Sequence, residues 1–183
     1  MRAFVAIEIP ETGVIDAIVG FQGELKETLA DIKLVERQNL HLTVRFLGEI
    51  TQAQAEQTKQ LLRSLELPRT DVELAGAGAF PNVARPNVVW VGIDQHAAGV
   101  TTIANDVIQS LRGMGQTDDR PFSPHLTVAR VRSSRGADKL EACIGLNSSR
   151  RFGRSSLLSI KLKSSVLTPS GPVYSDEGEF PLK

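Results

Sequence analysis

The chain opens with "RAFVAIEI", in which Phe4, Ala6 and Glu8 alternate with Val5, Ile7 and Ile9. Alternation with a period of two predicts a strand. After Pro10 and Glu11 the spacing changes. Val14, Ile15, Ile18, Val19, Leu25 and Leu29 recur at near-helical intervals and predict a helix. Strand signals return in "KLVERQNLHLTVRFLGEI". Thr51 is then placed to cap a helix over "QAQAEQTKQLLRSLEL", with Pro68 as its stop. The same order follows again. "DVELAGAGAF" and "NVVWVGID" read as strands joined by the turn-rich "PNVARPN". Val100, Ile103, Val107, Ile108 and Leu111 mark a helix ended by glycines. "SPHLTVARV" reads as a strand, "ADKLEACIG" as a short helix, and "LLSIKLKSSVL" and "VYSDEGEF" as strands around the turn "TPSGP".

Strand, helix, strand, helix, strand, and then much the same again, is a coarse duplication with a period near half the chain. Short strands joined by hairpins and interrupted by helices predict an α+β fold. The expected architecture is two pseudo-symmetric α/β lobes, with mostly antiparallel sheets lining a central cleft. At 183 residues they form one intimately packed domain over residues 1–183.

Composition narrows the functional classes. Lys plus Arg equals Asp plus Glu at 21 each, which argues against a protein that coats long duplexes. A small phosphate ligand or one end of an RNA strand stays open. No window approaches the roughly 18 apolar residues of a membrane span, so no membrane partner is expected. The opening apolar run is too short for a signal-peptide core. Cys143 is the single cysteine, which fits a reducing, cytoplasmic setting and a small buried side chain. No obligate protein partner is evident.

The chain has three histidines, and two of them begin the same tetrapeptide: "HLTV" starts at His41 and again at His125. Both copies follow a helical stretch and read as strands, so duplication explains them better than chance. In a strand His41 and Thr43 point one way while Leu42 and Val44 point the other. The same parity joins His125 to Thr127 against Leu126 and Val128. If the lobes face each other, two imidazoles and two hydroxyls converge on one cleft. Two opposed imidazoles suit phosphodiester cleavage, because one can take a proton from water while the other gives one to the departing alkoxide. Threonine hydroxyls can hold the non-bridging oxygens, where charge builds up. Either order of acid and base is chemically acceptable. The scheme calls for no metal and no cofactor, and the sequence has no HExxH-type run.

"NLHLTVRFLGEI" and "SPHLTVARV" resemble the two His-x-Thr motifs of the 2H phosphoesterase superfamily, and more narrowly its RNA 2′,3′-cyclic phosphodiesterases, first named 2′-5′ RNA ligases. "RAFVAIEIP", "VVWVGI" and "LTPSGPVY" extend the likeness over nearly the whole chain. The resemblance implies catalysis by His41, His125, Thr43 and Thr127. His41 would be the proton donor to the leaving 3′ oxygen and His125 the base that activates water, leaving a 2′-phosphomonoester. Reversible 2′-5′ ligation comes with the family. The implied partners are RNA ends or nucleotides bearing a 2′,3′-cyclic phosphate. Phe46 and Arg130, each five residues beyond a motif histidine, would bind the nucleotide and its phosphate. Strand parity opposes this, since an odd offset turns a side chain to the other face unless the strand bulges. For Phe46 a place in the core competes with the ligand role.

Arg45 shares the His41 face by parity, and Arg132, Arg135, Arg150, Arg151 and Arg154 form either an RNA-facing rim or a solvated face. Trp90 reads as core and His96 as a surface or capping residue. The glycines around residues 75–79 lack the Lys-Ser/Thr ending of a phosphate-binding loop. Two other functions fit the same cleft: hydrolysis of a small cyclic nucleotide or ADP-ribose cyclic phosphate, and a non-catalytic module that binds RNA ends.

Overall fold

The computed structural model describes every residue except 95, 96, 118 and 119, so the reading of His96 lies outside the described residues. In chain order the elements are β1 (Arg2–Glu8), α1 (Thr12–Glu27), β2 (Ile32–Leu34), β3 (His41–Glu49), α2 (Gln52–Ser64), β4 (Thr70–Phe80) and β5 (Val88–Ile93). After them come α3 (Ala98–Ser110), β6 (His125–Val131), α4 (Ala137–Leu146), β7 (Arg151–Leu157), β8 (Ser159–Thr168) and β9 (Gly171–Pro181). No described helix is long and apolar enough to cross a membrane.

The strands form one sheet in the order β7-β4-β5-β6-β3-β1-β8-β9, with β2 also paired to β6. Every pairing is antiparallel. The two expected lobes are its halves, β3-β1-β8-β9 and β6-β5-β4-β7. They do not meet as separate sheets face to face. Instead β3 and β6 pair at the centre, and the lobes share one continuous sheet.

Helices cover the face to which Leu42 and Leu126 point, and these two side chains are 1% and 0% exposed. Truncating either to alanine removes a contact worth about 2–5 kcal/mol. Two helices cross between the halves. α1, which follows β1, packs on β6 and β7 of the other lobe, while α3, which follows β5, packs on β3 as well as on β4 of its own lobe. α2 and α4 stay on their own lobes, against β9 and β4. α1 presents Val14, Ile15, Ile18, Phe21 and Leu25 on one buried stripe. Gln22 lies in the same stripe, and its amide donates to the carbonyls of Val35 and Val128, both at 2.8 Å.

Thr51 caps α2 as expected: Thr51 Oγ1 accepts from Gln54 N, and Gln54 Oε1 accepts from Thr51 N. The helix ends at Ser64 and Leu65 is already extended, so it stops before Pro68 can act. β7 has no counterpart among the expected strands. Its residues, "RFGRSSL", are mostly polar, and it exists because β4 offers an edge from Thr70 to Ala75.

Candidate active site

β3 and β6 meet in antiparallel register at Leu42 and Leu126. One residue further each way, His41 stands across from Thr127, and Thr43 across from His125. A local two-fold axis therefore runs through the leucine pair. The histidines are diagonal neighbours on the face away from the helices, a spacing of about 7–8 Å between residues and somewhat less between Cβ atoms. A phosphate group fits between such rings. Convergence comes from adjacency on one sheet surface, not from two opposed walls.

The ladders with the outer strands resolve the parity difficulty. His41 pairs with Glu8, Thr43 with Ala6, and Phe46 with Phe4, and Val44 is the extra residue of a bulge. In β6, His125 pairs with Gly92, Thr127 with Trp90, and Arg130 with Val88, and here Val128 is extra. Residues directly opposite share a face. The bulge, three residues beyond each histidine, thus returns Phe46 and Arg130 to the histidine side. Phe46 is 51% exposed there, and its ring lies 5.9 Å from Phe4. Arg130 is exposed too, and its charge acts on His41. The same bulge corrects the reading of Arg45. That residue turns to the helix side and donates to the carbonyls of Ile108 and Met114 at 2.8 and 3.2 Å.

The two imidazoles have different surroundings. His41 stacks on Phe4 at 5.1 Å and meets the edge of Tyr174 at 5.6 Å. Burial, and next the charge of Lys163, push its pKa down to about 4. The Asn39 carbonyl stands near enough to favour the cation, although Nδ1 makes no hydrogen bond of good geometry. His125 meets Phe80 edge-on at 4.9 Å, and burial lowers its pKa as well. Its Nδ1 lies 2.7 Å from the Ser123 carbonyl, which opposes that shift. A carbonyl only accepts, so Nδ1 carries the hydrogen and Nε2 keeps a lone pair for the cleft. Both rings are neutral at pH 7 when the cleft is empty.

Trp90 is not core. It is half-buried beside Thr127, with its ring over Gly78, where an added Cβ would lie 2.3 Å from the indole. Among the arginines read as a rim, Arg150 pairs with Glu24, Arg151 and Arg154 with Glu73, and Arg135 with Asp31. These pairs tie elements of the scaffold together. Sequence reasoning missed Glu8, Phe4, Phe80, Lys163 and Tyr174 as neighbours of the histidines. Only strand pairing brings them there, and no motif announces it.

A family model described as LigT like phosphoesterase matches residues 8–90 and, separately, residues 91–174. The double match agrees with the duplication. The RNA 2′,3′-cyclic phosphodiesterase of Archaeoglobus fulgidus is 34% identical over 176 residues, covering 96% of this chain and 97% of that protein. The protein of the same name from Methanocaldococcus jannaschii is 36% identical over 175 residues, covering 95% and 96%. Among solved structures, TT0787 of Thermus thermophilus superposes with a TM-score of 0.77 at 29% identity, covering 100% of this chain and 98% of that one. E. coli LigT complexed with 3′-AMP has a TM-score of 0.78 at 24% identity, with coverage of 100% and 98%, and so speaks for the fold.

Proposed function

This chain belongs to the LigT-like (2H) phosphoesterases, whose curated relatives are RNA 2′,3′-cyclic phosphodiesterases, and on that premise we propose that it opens RNA 2′,3′-cyclic phosphate ends to 2′-phosphomonoesters without a metal ion. The observation that carries this reading is the pairing of the two His-x-Thr strands about Leu42 and Leu126. Water attacks phosphorus as His125 Nε2 takes its proton, and the P–O3′ bond breaks as His41 hands a proton to O3′. Thr43 and Thr127 donate to the non-bridging oxygens. Arg130 offers a fork that can bond two of them, and the exposed ring of Phe46 suits a base. The proton on His41 arrives with the substrate, since a bound phosphodiester anion favours the imidazolium that burial and Lys163 disfavour.

Replacing water by a 5′-hydroxyl in the same ring-opening step gives a 2′-5′ linkage, and attack of the 3′-hydroxyl on that linkage reverses it, so reversible ligation is a second use of this cleft. A second reading keeps the chemistry and takes small nucleotides as substrates. It is favoured by structures of E. coli LigT complexed with 3′-AMP and with ATP. A cytoplasmic setting accords with the single Cys143.

The test is incubation with an oligoribonucleotide ending in a 2′,3′-cyclic phosphate, in EDTA, beside a cyclic mononucleotide. A 2′-phosphate product is expected from the oligonucleotide. His41→Ala and His125→Ala should each lose about 10²–10⁴-fold in turnover while staying folded. Thr43→Ala or Thr127→Ala should cost about 10- to 1,000-fold. Binding without turnover, or a 3′-phosphate product, rejects the scheme.

A further inference from the structure

The two sides of the cleft follow one plan, yet among the described residues a closed network of charges lies on the His41 side. Lys163 Nζ lies 2.6 Å from Glu8 Oε1 and 2.7 Å from Asp176 Oδ1. Lys161 Nζ lies 2.8 Å from Glu8 Oε2 and 2.8 Å from Asp176 Oδ2. Each carboxylate bridges both ammonium groups, which closes a ring of four. The lysine side chains are only 8% and 14% exposed. Lys163 stands in line between Phe4 and Asp176, two strands away from Phe46, on the histidine face of the sheet.

The strand ladders identify the matching positions around His125. Gly92 occupies the place of Glu8, Gly78 that of Lys161, and Phe80 that of Lys163. Asp176 has no equivalent, because the pairing of β4 with its outer strand ends at Ala75. Among the described residues of these strands, His125 therefore stands beside Phe80, Trp90 and glycine. His41, otherwise its twin, stands beside the ring of charges.

Stability is a poor explanation for this ring. Withdrawing ions from water costs much of what their attraction returns, and apolar replacements of buried pairs are often neutral or better. Its position supplies another explanation. Glu8 is the cross-strand partner of His41, and Lys163 is the foremost charge disfavouring the His41 cation. The groups around His41 are Glu8 on β1, Lys161 and Lys163 on β8, Tyr174 and Asp176 on β9, and Arg130 and His125 on β6.

We propose that the Glu8–Lys161–Lys163–Asp176 ring makes the two otherwise equivalent histidines unequal, and that Lys163 is a positioning residue acting through His41 and not through His125. This rests on the phosphodiesterase reading only for its consequence in turnover. Lys163 faces an imidazole whose protonation the reaction needs, while the balancing carboxylates keep the ring neutral as a whole. Lys163→Met leaves Glu8 and Asp176 short of one counter-charge beside His41, so the imidazolium becomes easier to form. Lys163→Arg keeps the charge. Glu8→Gln changes the balance in the opposite sense.

The experiment is NMR titration of the histidine rings in the substrate-free protein, with His41→Gln and His125→Gln used to assign the signals. In Lys163→Met the His41 midpoint should rise by about one pH unit or more, roughly tenfold in proton affinity. In Glu8→Gln it should fall, in Lys163→Arg it should stay close to wild type, and His125 should hold its midpoint in all three. A parallel pH–rate profile on the cyclic phosphate should then move only the limb that reports His41. Equal movement of both histidines, or none at His41, overturns the proposal. Because the titration needs no turnover, an inactive wild type would reject the phosphodiesterase reading and leave this test standing.

Discussion

His41 and His125 make the fold sensitive to mild acid. His41 has a folded pKa of about 4 against an ordinary value of 6.5, so between those values the unfolded chain binds the extra proton. The stability this gives is complete above about pH 6.5 and is lost as pH falls towards 4. The size is about 2–3 kcal/mol between pH 7 and pH 4.5. The His125 shift has the same sign. Glu8 and Asp176, held below the ordinary carboxylate range with the help of Lys161 and Lys163, add a further loss at lower pH. Urea unfolding at pH 7 and pH 4.5 should show a smaller difference for His41→Gln than for wild type. An unchanged difference would mean the ring is hydrated in the folded state. At this scale the reacting groups were legible in the sequence, because residue type and a two-residue offset suffice to name them. Their protonation was not. Phe4, Lys163 and Tyr174 set it, and they approach His41 from strands far along the chain.

Among the elements, the paired bulges decide what the cleft contains. A regular strand would bury Phe46 and Arg130 under the helices and turn Arg45 towards the ligand. Strict alternation therefore put Arg45 on the wrong face, although it allowed that a bulge would rescue Phe46 and Arg130. The bulge itself was illegible because valine at that position is an ordinary strand residue. What holds it open in β6 lies elsewhere: the Val128 carbonyl accepts from both Val35 N and the Gln22 amide. Gln22→Leu should cost about 1–3 kcal/mol, seen as a lower urea midpoint, since the Val35 carbonyl loses the Gln22 donor and the Val128 carbonyl is left with Val35 N alone. The same variant should raise KM for the cyclic phosphate, as Arg130 follows two residues after the bulge. A loss of stability with KM unchanged would separate the bulge from ligand binding. Caps were easier to read, because Thr51 and Gln54 satisfy each other within one turn.

For the molecule as a whole, the duplication was visible in the repeated tetrapeptide and the order of elements, but the way the halves join was not. That junction depends on β6 pairing with β3 at Leu42 and Leu126, 84 positions apart, and with β2 from Ile32 to Leu34. The crossing helices reinforce it, since α1 packs on β6 and β7 and α3 spans from β4 to β3. We propose that the chain is therefore a single cooperative domain. The one tyrosine and the one tryptophan report on opposite halves, Tyr174 on β9 and Trp90 on β5. Their signals should change at the same urea concentration. Two separate midpoints would show lobes that unfold independently.

The central pairing also has a consequence during synthesis. Leu126 leaves the ribosome long after Leu42, and until it does the backbone of β3 presents an unpaired edge next to its apolar side chains. Such an edge is a template for strands of neighbouring chains. The exposed interval is the time needed to make the intervening stretch. A nascent chain stalled before Val131 should thus aggregate more readily than the full-length chain.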